Sequence, residues 1–514
     1  MIDKLSWVTI YPELVLLIMG CFIALTDFGR TNARRSRSYG LTLGTLAVVV
    51  VLTAWQAWQA STLVGSTYYG FGDGSGSRSN GLVVMDAMGS WLKCFAALAL
   101  MVGLVYGRPY AADRNMLRNG GELFTLSLFA LLGMFVMISG NNFVMIYLGL
   151  ELLTLSSYAL VALRRDHPLS SEAAMKYFVL GAMASGFLLY GLSMMYGATG
   201  SLDINAVYAS LSSHEGSPQV LVFGLVFVVA GLAFKIGAVP FHMWVPDVYQ
   251  GAPTAVTLLI GSAPELAAFA IIIRLLVVGF QPLTFDWQQM LALLAIASLL
   301  VGNLAAIAQT NLKRMLAYSA IAQMGFMLLG LTAGIVNGDA SNAWRAYSAS
   351  MFYVITYVLT TLATFGIIML LAREGFESEE IADLAGLNRR SPLYAGVMAI
   401  AMFSLAGIPP MVGFYAKLMV LQALINSGQM AYIVLAVFAV LISLVAAFYY
   451  LRVVKVMYFD EPSSTAAPAA IVAPRQVRVV LALNGALILI LGIVPGGLMS
   501  LCMKAIINSL TTTS

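Results

Sequence analysis

Charge is the scarcest ingredient of this sequence. Only 10% of its 514 residues are Asp, Glu, Lys or Arg, 60% are hydrophobic, and the mean hydropathy is +0.89. Soluble domains carry roughly 25% charged residues, so too little polar surface exists here for a soluble fold. Cysteine is nearly missing as well. Cys21, Cys94 and Cys502 lie far apart on three apolar segments, and no CxxC occurs. A zinc or iron–sulfur site needs roughly four converging ligands, so neither is expected. With three histidines in the chain, haem is not expected either. No GxGxxG follows a strand pattern and no GxxxxGKS or GxxxxGKT occurs, which removes the usual nucleotide-phosphate cradles. Any redox chemistry linked to this chain belongs to another chain.

Long apolar runs fill the space that these absences leave. A bilayer-spanning helix needs about 20 apolar residues. Such runs fall at 6–27, 38–60, 82–107, 122–139, 141–163, 173–197, 218–250, 253–279, 288–310, 314–336, 344–373, 393–424, 430–458 and 477–505, which makes fourteen. The opening "MIDKLSWVTIYPELVLLIMGCFIALTDFGR" has too long an apolar run for a signal peptide and no small-residue cleavage motif. It reads as the first retained span.

Basic residues orient the spans. With the N-terminus outside, inside loops and span ends hold Arg30, Arg34, Arg35, Arg37, Arg108, Arg114, Arg118, Arg164, Arg165, Lys313, Arg314, Arg373, Arg389, Arg390, Arg452, Lys455, Arg475 and Arg478. Outside segments hold Lys4, Arg78, Arg345 and Lys504. One missed span would scramble every later loop, so an asymmetry of eighteen to four supports count and orientation together. The expectation is a polytopic membrane protein with both termini on the outer side. A net charge of +4 then reflects basic cytoplasmic loops rather than nucleic-acid binding. Residues 61–81 are Gly/Ser-rich and external, suited to a short hairpin; 460–476 read as a flexible inner linker. The acids crowded into "REGFESEEIADLAG" (373–386) read as a solvated interfacial helix.

Five basic residues remain within spans: Lys93, Lys176, Lys235, Arg274 and Lys417. Glu151 and Glu265 are placed well inside spans, and Asp86, Glu122, Glu172 and Asp247 nearer the ends. A charge at the bilayer centre costs at least about 2.5–3.5 kcal/mol, so intramembrane ionisable groups face wet or paired interiors and by default mark an ion path. Arg274 can snorkel from the outer end of its helix. Lys93 suits a structural pairing with an acid. Lys176 stands one turn after Glu172, where an i,i+4 pair can be purely local. Glu151, Lys235 and Lys417 have no sequence-near partner and are the prime proton-transfer candidates. His242, Glu265 and Lys176 join them.

Two spans are too long to be straight. At 1.5 Å per residue, 218–250 would run about 48 Å against a hydrocarbon core of about 30 Å. Pro240, with Gly237 nearby, interrupts it; Gly407, Pro409 and Pro410 interrupt 393–424 ahead of Lys417. "FKIGAVP" and "FSLAGIP" superimpose as aromatic, x, x, small, small, β-branched, Pro, 169 residues apart. The same shift carries "SGNN" at 139–142 onto "AQTN" at 308–311. Spans 4–8 and 9–13 therefore read as two five-helix repeats, inverted because five is odd. The expected architecture is an all-α polytopic membrane protein of about fourteen transmembrane helices, with a broken helix in each repeat. Its parts are 1–120 (three helices), 121–280 and 281–460 (the repeats) and 461–514 (linker and last helix). Interrupted helices at matching positions of inverted repeats point to ion-handling sites, and a lysine there can be charged or neutral according to burial and nearby carboxylates.

The motifs "FKIGAVPFHMWVPDVYQGAP", "YLGLELLTLSSYAL", "EAAMKYFVLGA", "QTNLKRMLAYSAIAQMGF" and "LAGIPPMVGFYAKL", in order along the chain, resemble those of the antiporter-like membrane subunits of respiratory complex I, the proton-pumping NADH:quinone oxidoreductase. "DVYQGAP" is similar to the subunit N (subunit 2) branch of a bacterial enzyme, which implies the bacterial inner (plasma) membrane with both termini on the periplasmic side, and the resemblance covers essentially the whole chain. It implies proton translocation through a central row of buried Lys, Glu and His with water, driven by quinone reduction elsewhere. It also implies no cofactor in this chain, with FMN and iron–sulfur clusters in other subunits. The implied partners are the lipid bilayer and other complex I membrane subunits, including paralogous antiporter-like ones; quinone binds elsewhere. Glu151 takes the place of the family's span-five glutamate, Lys235 of its span-seven lysine and Lys417 of its span-twelve lysine. Many relatives have a lysine in span eight where "GSAPELAAF" supplies Glu265, so the charge response there is reversed. A subunit of a multi-subunit cation/proton antiporter and a passive scaffold are the competing readings.

Overall fold

In a computed structural model the described residues are 4–27, 35–62, 67–72, 81–117, 120–213, 218–336, 338–372, 376–461, 471 and 473–510. Arg30, Arg34, Arg78, Arg118, Arg373 and most of the 460–476 linker fall outside them. The helices in chain order are α1 (Lys4–Thr9), α2 (Tyr11–Asp27), α3 (Ser36–Thr62), α4 (Ala87–Asp113), α5 (Glu122–Ser139), α6 (Phe143–Val161), α7 (Pro168–Thr199), α8 (Ile204–Ser212), α9 (Pro218–Lys235), α10 (Trp244–Gly251), α11 (Thr254–Ile260), α12 (Ala263–Ile272), α13 (Thr284–Ile307), α14 (Leu312–Thr332), α15 (Ala343–Leu371), α16 (Leu387–Arg390), α17 (Pro392–Ala406), α18 (Val412–Asn426), α19 (Met430–Phe459), α20 (Arg475–Ile493) and α21 (Gly496–Leu510). Eleven helical stretches among the described residues are long and apolar enough to cross a membrane. The 17-residue α2, the interrupted pair α9–α10 and the interrupted pair α17–α18 add to them. The expected hairpin is present as antiparallel strands β1 (Tyr68–Gly70) and β2 (Val83–Met85).

Burial separates the helices by role. In the membrane stretches of α14, α15 and α11–α12 with its π-helical extension Ile273–Gly279, 89–94% of the residues are buried, against 28% in α19 and α20. The second pair shows Val437, Leu444, Phe448 and Leu483 outward, as a lipid-facing or partner-facing surface should. The buried helices form the axis on which the polar residues converge.

Side-chain pairs put the basic ends on one face. Arg114, after α4, and Arg164, after α6, both bind Glu377, which follows α15, at 2.8 Å. Arg314 at the start of α14 meets Asp247 of α10 at 2.7 Å, and Arg452 of α19 donates to the Ile307 and Gln309 carbonyls at the end of α13. The acidic loop is thus not simply solvated. Glu377 and Glu379 (3.0 Å from Lys313) act as counter-charges to the basic helix ends. Burial by itself would raise the proton affinity of Glu377. Hydrogen bonds from Arg114 and Tyr110 and the charges of Arg114 and Arg164 outweigh it, holding this carboxyl below its ordinary range.

The matching interruptions are present, with a corrected register. Gly237 (φ +64) and Gly407 (φ +85) both take the left-handed conformation that glycine tolerates, each followed three residues later by a proline. The bonds Ala238 N→Ala233 O and Ile408 N→Phe403 O, and the bonds Phe241 N→Ala238 O and Met411 N→Ile408 O, repeat at the same spacing of 170. Chemical similarity suggested 169; backbone geometry moves it by one, because the left-handed glycine rather than the side-chain class fixes the turn. Elsewhere 169 holds: Asn142 caps α6 and Asn311 caps α14, each forming an isolated bridge to the residue that precedes a short helix, Asp203 or Glu380.

Two further interruptions escaped the sequence reading. The span 253–279 breaks at Gly261 and Ser262, between α11 and α12. The last span, read as 477–505, ends at Ile493; Pro495 follows, and α21 packs against α15 and α4, with Met88 N donating to Ser509 Oγ at 3.1 Å.

Candidate functional site

Lys235 is the last residue of α9, where a cation complements the partial negative charge of the helix end. The break beyond it leaves backbone groups that other elements satisfy: Val239 N donates to Ser298 Oγ at 2.9 Å and Trp244 Nε1 to Phe234 O at 3.0 Å. Lys235 Nζ donates to Thr154 Oγ1 at 3.2 Å, into a cavity lined also by Leu150, Tyr177, Ser185 and Trp244. About 10 Å³ of that cavity is open to a water molecule's centre, the size that admits one water. Tyr177 and Trp244 stack at 4.7 Å and form its wall. Glu151 lies one turn before Thr154 on α6. Its Oε1 is buried without a hydrogen-bond partner, and no ion pair joins it to Lys235, although the two carboxylates within electrostatic reach of Lys235 are Glu265 and Glu151.

Glu265 occupies the first turn of α12 and owes its position to the missed break. The amino end of a helix favours a carboxylate, and Pro264 suits the first helical turn because it lacks an N–H that would have no partner there. Glu265 is 6% exposed and its Oε2 has no partner. Its charge reaches Lys235 on one side and Tyr177, Tyr249 and Tyr357 around it. A β-carbon at Gly261 would stand 2.5 Å from Tyr249 Oη, so the tyrosine needs that glycine.

Lys417 completes the row. Its Nζ donates to the Leu405 and Ala406 carbonyls at 3.0 and 3.1 Å and to Ser443 Oγ at 2.9 Å, with the Phe326 ring at 4.9 Å. The two carbonyls are the loose end of α17, freed by the break. The second cavity, also with about 10 Å³ for a water centre, holds Lys417 with Gln323, Tyr353, Thr356, Tyr357 and Thr360. Tyr357 therefore belongs to this cavity and to the surroundings of Glu265. The sequence reading passed over these tyrosines and threonines because it weighed only charged and histidine side chains within the spans. A signal existed: Tyr353, Thr356, Tyr357, Thr360 and Thr364 recur at helical spacing on one stripe of α15.

The remaining candidates divide. Lys176 forms the local pair with Glu172 (2.9 Å) and meets Asp247 (2.8 Å); its side chain is 44% exposed and lies outside both cavities. His242 sits in the break, half-buried, with Nδ1 unpartnered, and lines neither cavity. Arg274 does not snorkel. It is 5% exposed and binds Asp86 through two 2.8 Å contacts, while Asp86 caps α4. Lys93 pairs at 2.5 Å with Glu13, a buried acid of the first span that the sequence reading had not counted.

A membrane helix bundle whose core strings lysines and a carboxylate along interrupted helices defines a class, the proton-handling antiporter-like membrane proteins. The chain belongs to the NADH:quinone oxidoreductase/Mrp antiporter transmembrane family, whose signature matches residues 140–443. It is 68% identical to NADH-quinone oxidoreductase subunit N of Polaromonas naphthalenivorans, over 99% of this chain and 100% of that one. Among solved structures it resembles a chain of respiratory complex I from Thermus thermophilus with bound aureothin (TM-score 0.76, 30% identity, 95% of this chain and 98% of that one). It also resembles a chain of the Mrp complex from a Dietzia species (TM-score 0.81, 20% identity, 98% of each), which speaks to the fold alone.

Proposed function

We propose that this chain is the N-type membrane subunit of a bacterial NADH:quinone oxidoreductase, and that it moves protons across the inner membrane while quinone is reduced elsewhere in the complex. Electron transfer belongs to FMN and iron–sulfur clusters in other subunits, and paralogous antiporter-like subunits are neighbours. The chain crosses the membrane about fourteen times with both termini outside, as inverted repeats 121–280 and 281–460 between the segments 1–120 and 461–514. The observation that carries the reading is the set of Lys235, Glu265 and Lys417, each beside a helix interruption, with a water-sized cavity at each lysine and Tyr177 and Tyr357 of those cavities within electrostatic reach of Glu265.

Lys176, exposed beside Glu172 and Asp247, marks proton entry on the inner side. Lys235 rests as an ammonium held by Thr154 and by the charges of Glu151 and Glu265. Since Glu151 is not in contact with Lys235, its influence is through the field rather than through a closed ion pair. When a neighbouring subunit neutralises Glu151 or draws it away, the ammonium loses support and passes its proton to the Glu265 carboxylate. From there the proton moves by water past Tyr357, with His242 as a flanking polar group, to Lys417 and outward.

The test is proton translocation per NADH oxidised in vesicles carrying the intact complex. Lys235→Ala and Glu265→Gln should each lower that ratio. An unchanged ratio for Lys235→Ala removes it from the path, and an unchanged ratio for Glu265→Gln makes that residue structural. Sodium–proton exchange by the isolated chain in liposomes would replace this reading with the antiporter one.

A further inference from the structure

Lys417 lies close to a second set of buried hydroxyls that leads toward the basic face. Ser319 Oγ and Tyr450 Oη are 2.5 Å apart, the Tyr449 and Tyr450 rings are 4.3 Å apart, and Tyr449 Oη donates to Asn303 Oδ1 at 2.9 Å. Ser319 is seven residues into α14 from its basic end, about 10 Å at the helical rise, and Asn303 is four residues from the basic end of α13. Hydroxyls and water pass protons by exchanging donor and acceptor roles. Connected to Lys417, this set would let a proton return to the side from which it came.

Between the two stands Gln323, 5% exposed. Its Nε2 donates to Tyr450 Oη at 2.9 Å and to Leu405 O at 3.1 Å, and its Oε1 accepts from Tyr353 Oη. Leu405 O also accepts from Lys417 Nζ at 3.0 Å. A backbone carbonyl accepts only, so the amide cannot be turned around. With Gln323 donating to it, Tyr450 Oη cannot donate back to the amide nitrogen, and its own hydrogen is left for the far side, where Ser319 Oγ is a partner. A carboxamide offers two fixed donors and one acceptor and does not exchange them as a hydroxyl does. From Lys417 to Tyr450 the polar contacts run through the shared Leu405 carbonyl and the Gln323 amide, neither of which exchanges donor and acceptor roles.

We propose that Gln323 is a proton insulator: a positioning residue that separates Lys417 from the inner compartment, so that a proton loaded on Lys417 leaves only outward. This rests on the reading of Lys417 as a proton carrier. The alternative is that the amide is merely a bolt between α14, α17 and α19.

The intact complex in vesicles distinguishes them, with NADH oxidation and protons moved per NADH read together. Gln323→Glu installs a group that can relay. It should keep oxidising NADH while losing part of this chain's share of the protons. Gln323→His, a second relay able to stand in if the acid fails to assemble, should do the same. Gln323→Met cannot relay; it should slow turnover yet keep the full ratio. A full ratio in both relay variants overturns the proposal, and so does an equal loss in Gln323→Met, which marks a bolt. Lys417→Ala run alongside separates the two levels. A full ratio there overturns the role of Lys417 itself, and the insulator falls with it.

Discussion

Gly407→Ala tests how the break serves Lys417 without touching the lysine. Gly407 has φ +85, and a β-carbon there would lie 2.9 Å from Lys417 Cδ and 3.3 Å from Nζ. The left-handed backbone costs an L-residue roughly 1–2 kcal/mol. The lysine must also shift, and losing one of its three hydrogen bonds costs about 1.5–3 kcal/mol more for a charged donor. The part specific to Lys417 is thus the about 1.5–3 kcal/mol of the hydrogen-bond loss, a factor of at least ~10 against its native set of contacts. Protons moved per NADH in vesicles should fall nearly as far as in Lys417→Ala. Gly428→Ala is the control, since Gly428 has φ +69 and nothing within 4 Å of the added carbon. It carries the backbone strain alone and should pump normally. Equal behaviour of the two alanine variants would refute the claim that Gly407 exists to seat the lysine.

Two other predictions concern the scaffold. Asp86→Ala strands Arg274, 5% exposed, without its counter-charge, and should destabilise the purified complex by about 3–5 kcal/mol in thermal unfolding; Asp86→Leu with Arg274→Met should recover most of that loss. Glu377 binds protons more weakly folded than unfolded, so its contribution is present above its unfolded pKa of about 4.3 and lost as pH falls through the lower folded value. Thermal stability should decline below about pH 5, and Glu377→Gln should lower stability at neutral pH while flattening part of that decline.

Much of the site was legible because proline and lysine are rare enough in this apolar chain to stand out. The interruptions at Gly237–Pro240 and Gly407–Pro410, and the two lysines beside them, are where the sequence placed them. The break at Gly261–Ser262 was missed because the run 253–279 satisfies a single span by length and mean hydropathy. Yet Gly-Ser-Ala-Pro just before Glu265 is a helix stop and restart. Partnerships such as Lys93 with Glu13 and Arg274 with Asp86 join residues 80 and 188 positions apart, beyond what one sequence specifies. The hydroxyl network around Gln323 was hidden for a further reason: hydropathy weighs side chains singly, whereas a hydrogen-bonded chain exists only once four helices meet.

The central claim is that Lys235 and Lys417 act in series on one proton path. Protons moved per NADH by the double variant Lys235→Ala, Lys417→Ala, compared with each single variant, test it most directly. A series path predicts that the double loses no more than the worse single. Losses that add would mean two independent routes and would contradict the account.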